Sequence, residues 1–132
     1  LMNDMTISLE EPDVMAEHAR AAVARGEQIL KIKLGHDIAE DRRRLAAVVE
    51  AAPEARLRLD ANQGWSPEQA IEIITGFARD GLPIELVEQP VAARNIEGLA
   101  RVAAAVELPI MADEAVWTAE DARRLVDTDA TC

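Results

Sequence analysis

The sequence predicts an α/β protein, a parallel sheet with helices packed against it, built from five strand–helix units. Short apolar runs alternate strictly with longer amphipathic stretches, and helix start and stop signals fall in the joints between them. In addition, Asp60, Glu88 and Asp113 each close a short apolar run. The runs are Leu57-Arg58-Leu59-Asp60, Ile84-Glu85-Leu86-Val87-Glu88 and Pro109-Ile110-Met111-Ala112-Asp113. Intervals of 28 and 25 residues separate the three acids, and each suits one strand–helix–strand unit. On parallel neighbouring strands, all three acids reach one rim.

The elements follow in order. Residues 5–9 read as the first strand. Glu11-Pro12 opens a helix that runs to about Arg25 and stops at Gly26, a favoured residue just past a helix end. Residues 28–34 form the second strand, closed by Gly35. Asp37 begins the second helix, with Glu40 three residues on completing a capping-box pattern. Ile38, Leu45, Val48 and Val49 give that helix one buried stripe, and Pro53 ends it. Residues 55–60 are the third strand. Ser66-Pro67-Glu68-Gln69 is a strong helix start: a capping hydroxyl, proline at the first helical position and Gln69 placed to close the box. That helix runs to about Asp80 and stops at Gly81. Residues 84–88 form the fourth strand, residues 96–106 the fourth helix, and the fifth strand runs to Asp113. Thr118 caps a last helix through about Val126, with Asp121 at its third position.

Strands that are mostly apolar suit a sheet buried on both faces. Right-handed crossovers place every strand's C-terminal end on one side. A closed (β/α) barrel needs about eight strands, whereas an open doubly wound sheet manages with five. No glycine-rich phosphate loop follows the first strand, which weakens the nucleotide-binding version of the open sheet. The segment from Val126 to Cys132 falls where another strand is expected to begin, so the sequence reads as part of a longer chain.

The 132 residues suffice for one domain with a sizeable core, and 49% of them are hydrophobic. Tyrosine is absent and phenylalanine occurs once, so the core is aliphatic. A net charge of −11 argues against a nucleic-acid surface. The one basic cluster, Arg42-Arg43-Arg44, lies among acids in a helix and reads as a solvated face. The single cysteine, Cys132, permits no disulfide within the chain. No apolar run approaches the ~20 residues of a membrane span, and Leu1-Met2-Asn3-Asp4 opens no signal peptide. The expected location is cytoplasmic, with no nucleic-acid or membrane partner.

Three converging carboxylates repel one another unless a cation sits between them. Oxygen ligands of this kind suit Mg²⁺ or Mn²⁺ rather than Zn²⁺. His18 and His36 lie away from the strand ends. An acid after a strand can also be a plain turn or cap residue; three in successive units favour the metal reading. Lys31 and Lys33, at i and i+2, share one side of their strand. They are either solvated on an edge strand or placed at the mouth beside a metal. In the latter setting positive neighbours lower a lysine's pKa and produce a usable base. In Asp60-Ala61-Asn62-Gln63-Gly64-Trp65, the amides of Asn62 and Gln63 can orient a ligand or brace a metal site, or simply form a loop. Trp65, Glu114 and Trp117 are open to the same two readings.

Lys31-Ile32-Lys33, Leu59-Asp60-Ala61-Asn62-Gln63-Gly64-Trp65, Val87-Glu88-Gln89-Pro90 and Met111-Ala112-Asp113-Glu114 together resemble the enolase superfamily. The match is to its muconate-lactonising-enzyme subgroup, and the Asp-Ala-Asn-Gln-Gly-Trp stretch is most similar to dipeptide (L-Ala-D/L-Glu) epimerases. The resemblance covers essentially the whole chain. It implies that residues 1–132 are part of a TIM-like barrel, about five βα units of a modified (β/α)₇β barrel. It implies that Asp60, Glu88 and Asp113 bind Mg²⁺, that Lys33 is one acid/base, that Lys31 assists by lowering its pKa, and that Asn62 supports the site; Gln63 and Glu114 stay candidates for contacting substrate or supporting the site. The implied reaction is removal of the proton α to a carboxylate, with Mg²⁺ stabilising the enediolate; superfamily sites of this kind are themselves a standard illustration of a base working with a metal. The capping domain, the second lysine of the sixth strand and the eighth-strand acids lie outside this sequence, so the isolated chain is expected to be inactive.

The expected activity of the longer protein is dipeptide epimerisation, an isomerase reaction on a small carboxylate substrate. Within the superfamily, a muconate-type cycloisomerase or an N-acylamino-acid racemase uses the same acids and lysines. A second class is a non-catalytic half-barrel that only binds metal; its sheet edges favour association, and a homo-oligomer is expected. A third is an open receiver-like binding domain, against which the lysine pair argues.

Overall fold

The computed structural model describes residues 3–35, 37–128 and 130; His36 and Cys132 lie outside them. Strands and helices alternate throughout the described residues. In chain order they are β1 (Met5–Ile7), α1 (Pro12–Ala24), β2 (Ile29–Lys33), α2 (Ile38–Ala51), β3 (Arg56–Asp60), α3 (Pro67–Arg79), β4 (Ile84–Glu88), α4 (Ile96–Ala105), β5 (Ile110–Met111) and α5 (Ala119–Asp127). The first strand stops at Ile7 rather than Leu9. The fifth is two residues long, so Asp113 lies beyond it and not at its end.

Start and stop signals act as their chemistry dictates. Ser66 accepts from the Gln69 amide while the Gln69 side chain accepts from the Ser66 amide, a complete capping box. Thr118 and Asp121 form another. At α2 only half the box forms: Asp37 accepts from the Glu40 amide, but the Glu40 carboxylate turns to Arg43. Gly26 and Gly81 follow their helices at φ +94° and +70°, left-handed values that a side chain disfavours.

The sheet order is β1-β2-β3-β4-β5, and every neighbouring pair is parallel. Each strand lies beside its predecessor in sequence. Right-handed crossovers in such a singly wound sheet carry the helices to one face, the arrangement of a (β/α) barrel; a doubly wound sheet reverses its strand order partway. The chain is therefore a barrel segment.

The helix-covered face is dry. Leu30, Ile32, Leu57, Leu59, Val87 and Ile110 are at most 1% exposed. They form one cluster with Met15, Leu45, Val48, Phe77, Leu99 and Val102 from the helices. The other face is charged, which corrects the expectation of strands apolar on both sides. Lys31, Lys33, Arg56, Arg58, Asp60 and Glu88 alternate with the buried aliphatics in period two. Arg58 donates to Asp4 at 3.0 Å and to Glu85 at 2.8 Å, and Arg56 reaches the same Glu85 at 3.0 Å. A register shift at Leu57/Arg58 accompanies this network.

The Arg42-Arg43-Arg44 cluster is a solvated face only in part. Arg43 pairs with Glu40 at the surface. Arg42 pairs with Asp80 and lies over the Phe77 ring. Arg44 is drawn inward to the fully buried Asp41, 3.1 Å away, and donates to the Glu10 carbonyl at 2.8 Å. Both Asp41 oxygens accept from the Gly35 amide, at 3.1 and 3.0 Å, so this carboxylate ties the loop after β2 to α2.

Candidate functional site

Strand register builds the site directly. Lys33 pairs with Asp60, Asp60 with Glu88, and Glu88 with Met111, one row across the C-terminal ends of β2 to β5. Asp60 and Glu88 are almost completely buried, at 1% and 4% exposed. Two buried carboxylates side by side need positive charge, and the lysines of β2 provide it. Lys31 Nζ lies 2.8 Å from Glu88 Oε1, 2.7 Å from Oε2 and 3.2 Å from Asp60 Oδ2. Lys33 Nζ donates to Asp60 Oδ2 and to Asn62 Oδ1, both at 3.2 Å, and its side chain stays more open to solvent. Of the two readings of this pair, the edge-strand one is excluded: β2 is flanked by β1 and β3.

Burial works against the Lys31 ammonium. The hydrogen bonds and charges of Glu88 and Asp60 outweigh it and hold the Lys31 pKa above the ordinary lysine value. Burial pushes the Glu88 carboxyl above the ordinary glutamate value; Lys31 opposes this, while the charges of Asp60 and Asp113 add to it. Asp113 therefore stands near enough for Glu88 to feel it, although it is exposed and two residues past β5.

The loops above the strands are strained in a patterned way. Among the described residues, the non-glycine residues at positive φ are Asn62 (45°), Gln63 (63°) and Gln89 (38°), all beside the row of acids. The Asn62 amide N–H donates to Asp60 Oδ1 at 3.1 Å, and its side-chain amide reaches Glu114 at 3.4 Å. Asn62 thus touches Lys33, Asp60 and Glu114 together. The Gln63 side chain accepts from the Ala93 amide at 2.9 Å, bracing the loop after β4. Trp65 is buried as loop packing, whereas Trp117 is 83% exposed and donates its indole N–H to the Glu114 carbonyl. One Glu114 oxygen is buried with no hydrogen-bond partner. His18 is exposed on α1, away from this rim. Two buried polar side chains, Gln89 and Asp41, have no role assigned from the sequence. Gln89 directly follows the last acid of an apolar strand and precedes a proline, which is a usable signal. Asp41 looks like any helix acid.

Among the described residues, no three His, Cys, Asp or Glu side chains are gathered tightly enough to hold a metal ion as they stand. Lys31 bridges Asp60 and Glu88 instead. The donor chemistry nevertheless fits a hard divalent cation: Asp60 and Glu88 stand in register at the strand ends, Asp113 lies near enough to bear on Glu88, and all three offer carboxylate oxygens. No helix among the described residues is long and apolar enough to cross a membrane.

Residues 14–131 match the family model described as enolase C-terminal domain-like. The L-Ala-D/L-Glu epimerase of Clostridium acetobutylicum is 44% identical over 131 residues, which cover 98% of this chain and 37% of that enzyme. A substrate-liganded complex of the Bacillus subtilis L-Ala-D/L-Glu epimerase superposes with a TM-score of 0.95 at 42% identity, over 99% of this chain and 37% of that one. The dipeptide epimerase of Enterococcus faecalis V583, crystallised with Mg and the dipeptide L-Leu-L-Tyr, superposes with a TM-score of 0.92 at 43% identity, over 99% and 37% of the two chains. The chain thus spans a little over a third of the length of the relatives it matches.

Proposed function

The chain belongs to the enolase C-terminal domain-like family, and on that premise we propose that it is the metal-binding and proton-transfer half of an isomerase that epimerises a dipeptide. The observation that carries the reading is the row at the strand ends: Lys33 meets Asp60 at 3.2 Å, and Asp60 stands in register with Glu88. In the proposal Asp60, Glu88 and Asp113 hold Mg²⁺, or Mn²⁺ in its place. When bound, the cation supplies the positive charge that stabilises the second negative charge building on the substrate carboxylate as its α-proton leaves. Lys33, the more open of the two amines, removes or returns that proton on one face of the substrate. Lys31 keeps Asp60 and Glu88 compensated and sets a second positive charge beside Lys33. Asn62 holds the Lys33 ammonium from the loop side, and Glu114 in turn accepts from Asn62. Gln63 fixes the neighbouring loop.

Epimerisation needs a second base on the opposite face, which the longer protein provides in this proposal, so the 132-residue chain alone does not turn over. The proposed setting is a cytoplasmic homo-oligomer; the acidic, cysteine-poor composition is in keeping with the cytoplasm.

The test is exchange of the dipeptide α-proton in D₂O by the full-length protein. Exchange is expected to stop on chelation and return with Mg²⁺. Lys33→Ala is expected to abolish exchange from one epimer at least 100-fold more than from the other, the scale on which a positioned general base contributes (roughly 10²–10⁴-fold). Exchange that survives chelation, or equal loss for both epimers, overturns the reading.

A further inference from the structure

Gln89 is fully buried directly after Glu88, yet it is polar and its backbone is left-handed at φ +38°. Its hydrogen bonds reach the loops after three successive strands. Its amide N–H donates to the Met111 carbonyl at 2.8 Å, and its own carbonyl accepts from the Gln63 amide at 2.8 Å. Its side-chain Nε2 donates to the Val91 carbonyl at 3.0 Å. Its Oε1 accepts two backbone amides at once, Asp113 at 2.9 Å and Ala115 at 3.1 Å.

The last pair matters because β5 ends at Met111. Asp60 and Glu88 stand within strand ladders, and their backbones are placed by the sheet. Asp113 lies past its strand in a bend, where no ladder places it. A single side-chain oxygen on the neighbouring loop holds the amides on either side of Glu114 and so orients the turn that carries Asp113. A neutral amide is the side chain that can accept twice and donate once there without adding charge beside three acids.

We propose that Gln89 is a positioning residue that sets Asp113 against Asp60 and Glu88 for a divalent cation; this rests on the metal reading above. An interaction of this kind, one step behind a ligand, changes metal affinity about 10- to 100-fold when removed.

The experiment uses full-length protein and Mn²⁺ as the probe, with affinity read by electron paramagnetic resonance. Asp60→Asn is expected to abolish binding. Gln89→Met, similar in length but with no donor and only a weak acceptor, is expected to bind Mn²⁺ about 10- to 100-fold more weakly. Its Asp113 and Ala115 amides are expected to exchange faster in the metal-free protein. Gln89→Asn, which draws the acceptor back by one methylene, replaces the methionine variant if that one does not fold and is expected to show the same weakening. Val102→Ala, a core truncation in α4, controls for general destabilisation and is expected to leave affinity unchanged. Wild-type affinity in folded Gln89→Met or Gln89→Asn overturns the proposal, as does an equal loss in Val102→Ala. If the wild type shows no Asp60-dependent Mn²⁺ binding, the metal reading falls and this proposal with it, a result distinct from either of those.

Discussion

Lys31 and Lys33 both reach the same oxygen of Asp60, each at 3.2 Å. The two amines differ in what else they hold: Lys31 is also bonded to Glu88, and Lys33 to the uncharged Asn62. Lys31 is thus the counter-ion of the buried acids, and Lys33 is the more exposed of the two amines. The sequence showed the lysines by their i, i+2 spacing and the acids by their places after apolar runs, because strand ends have a readable grammar. Asp41 had no such signal, since an acid inside a helix usually faces water. Its burial follows from tertiary packing, with Arg44 and the Gly35 amide closing over it. Breaking a buried ion pair from one side costs about 3–5 kcal/mol. Asp41→Ala is accordingly expected to lower stability by about 3 kcal/mol, read by urea denaturation. A change under about 1 kcal/mol would show that the Gly35 tie is incidental.

At the level of elements, helix ends were the most legible feature and strand lengths the least. A capping box is written in four consecutive residues, as at Ser66 and Thr118. A strand's length depends on partners far away in sequence, which is why the run ending at Asp113 yields only two strand residues. The α5 cap carries a pH signature. The Thr118 hydroxyl, then the Trp117 amide, with smaller help from the Thr118 amide and Arg124, hold the Asp121 carboxyl below the ordinary aspartate value. A lowered folded-state pKa means that the unfolded chain binds the proton more tightly. The stabilisation is therefore present above the ordinary aspartate range and lost as pH falls through the lowered value. Thr118→Val is expected to move the Asp121 titration, followed by carbon NMR, back up toward the ordinary value; an unmoved titration would assign the shift to the backbone amides and Arg124.

For the molecule as a whole, alternation and right-handedness fixed the class of fold, and the family resemblance decided between a barrel and an open sheet. The charged inner face was missed even though Arg56-Leu57-Arg58-Leu59-Asp60 spells it out in period two. The leucines suggested burial on both sides, and only the sheet's one-sided helix cover shows where the arginines go. Because one hydrophobic cluster runs from α1 to α5, its loss is expected to be concerted. Phe77, fully buried in α3, is its one phenylalanine. Phe77→Ala is expected to cost about 3–5 kcal/mol, with helix content by circular dichroism and Trp65 fluorescence lost together. Separated transitions would instead show that the units unfold independently.

Sequential strand order also sets a schedule. Every ladder joins segments only one unit apart, so pairing can keep pace with synthesis as the chain leaves the ribosome. Lys31 and Lys33 are made before the acids they neutralise, and Asp60 meets waiting positive charge as soon as β3 docks on β2. Glu88 arrives next, and Asp113 last of all. Neither Asp60 nor Glu88 has to wait for its counter-charge, which spares the nascent sheet an uncompensated intermediate.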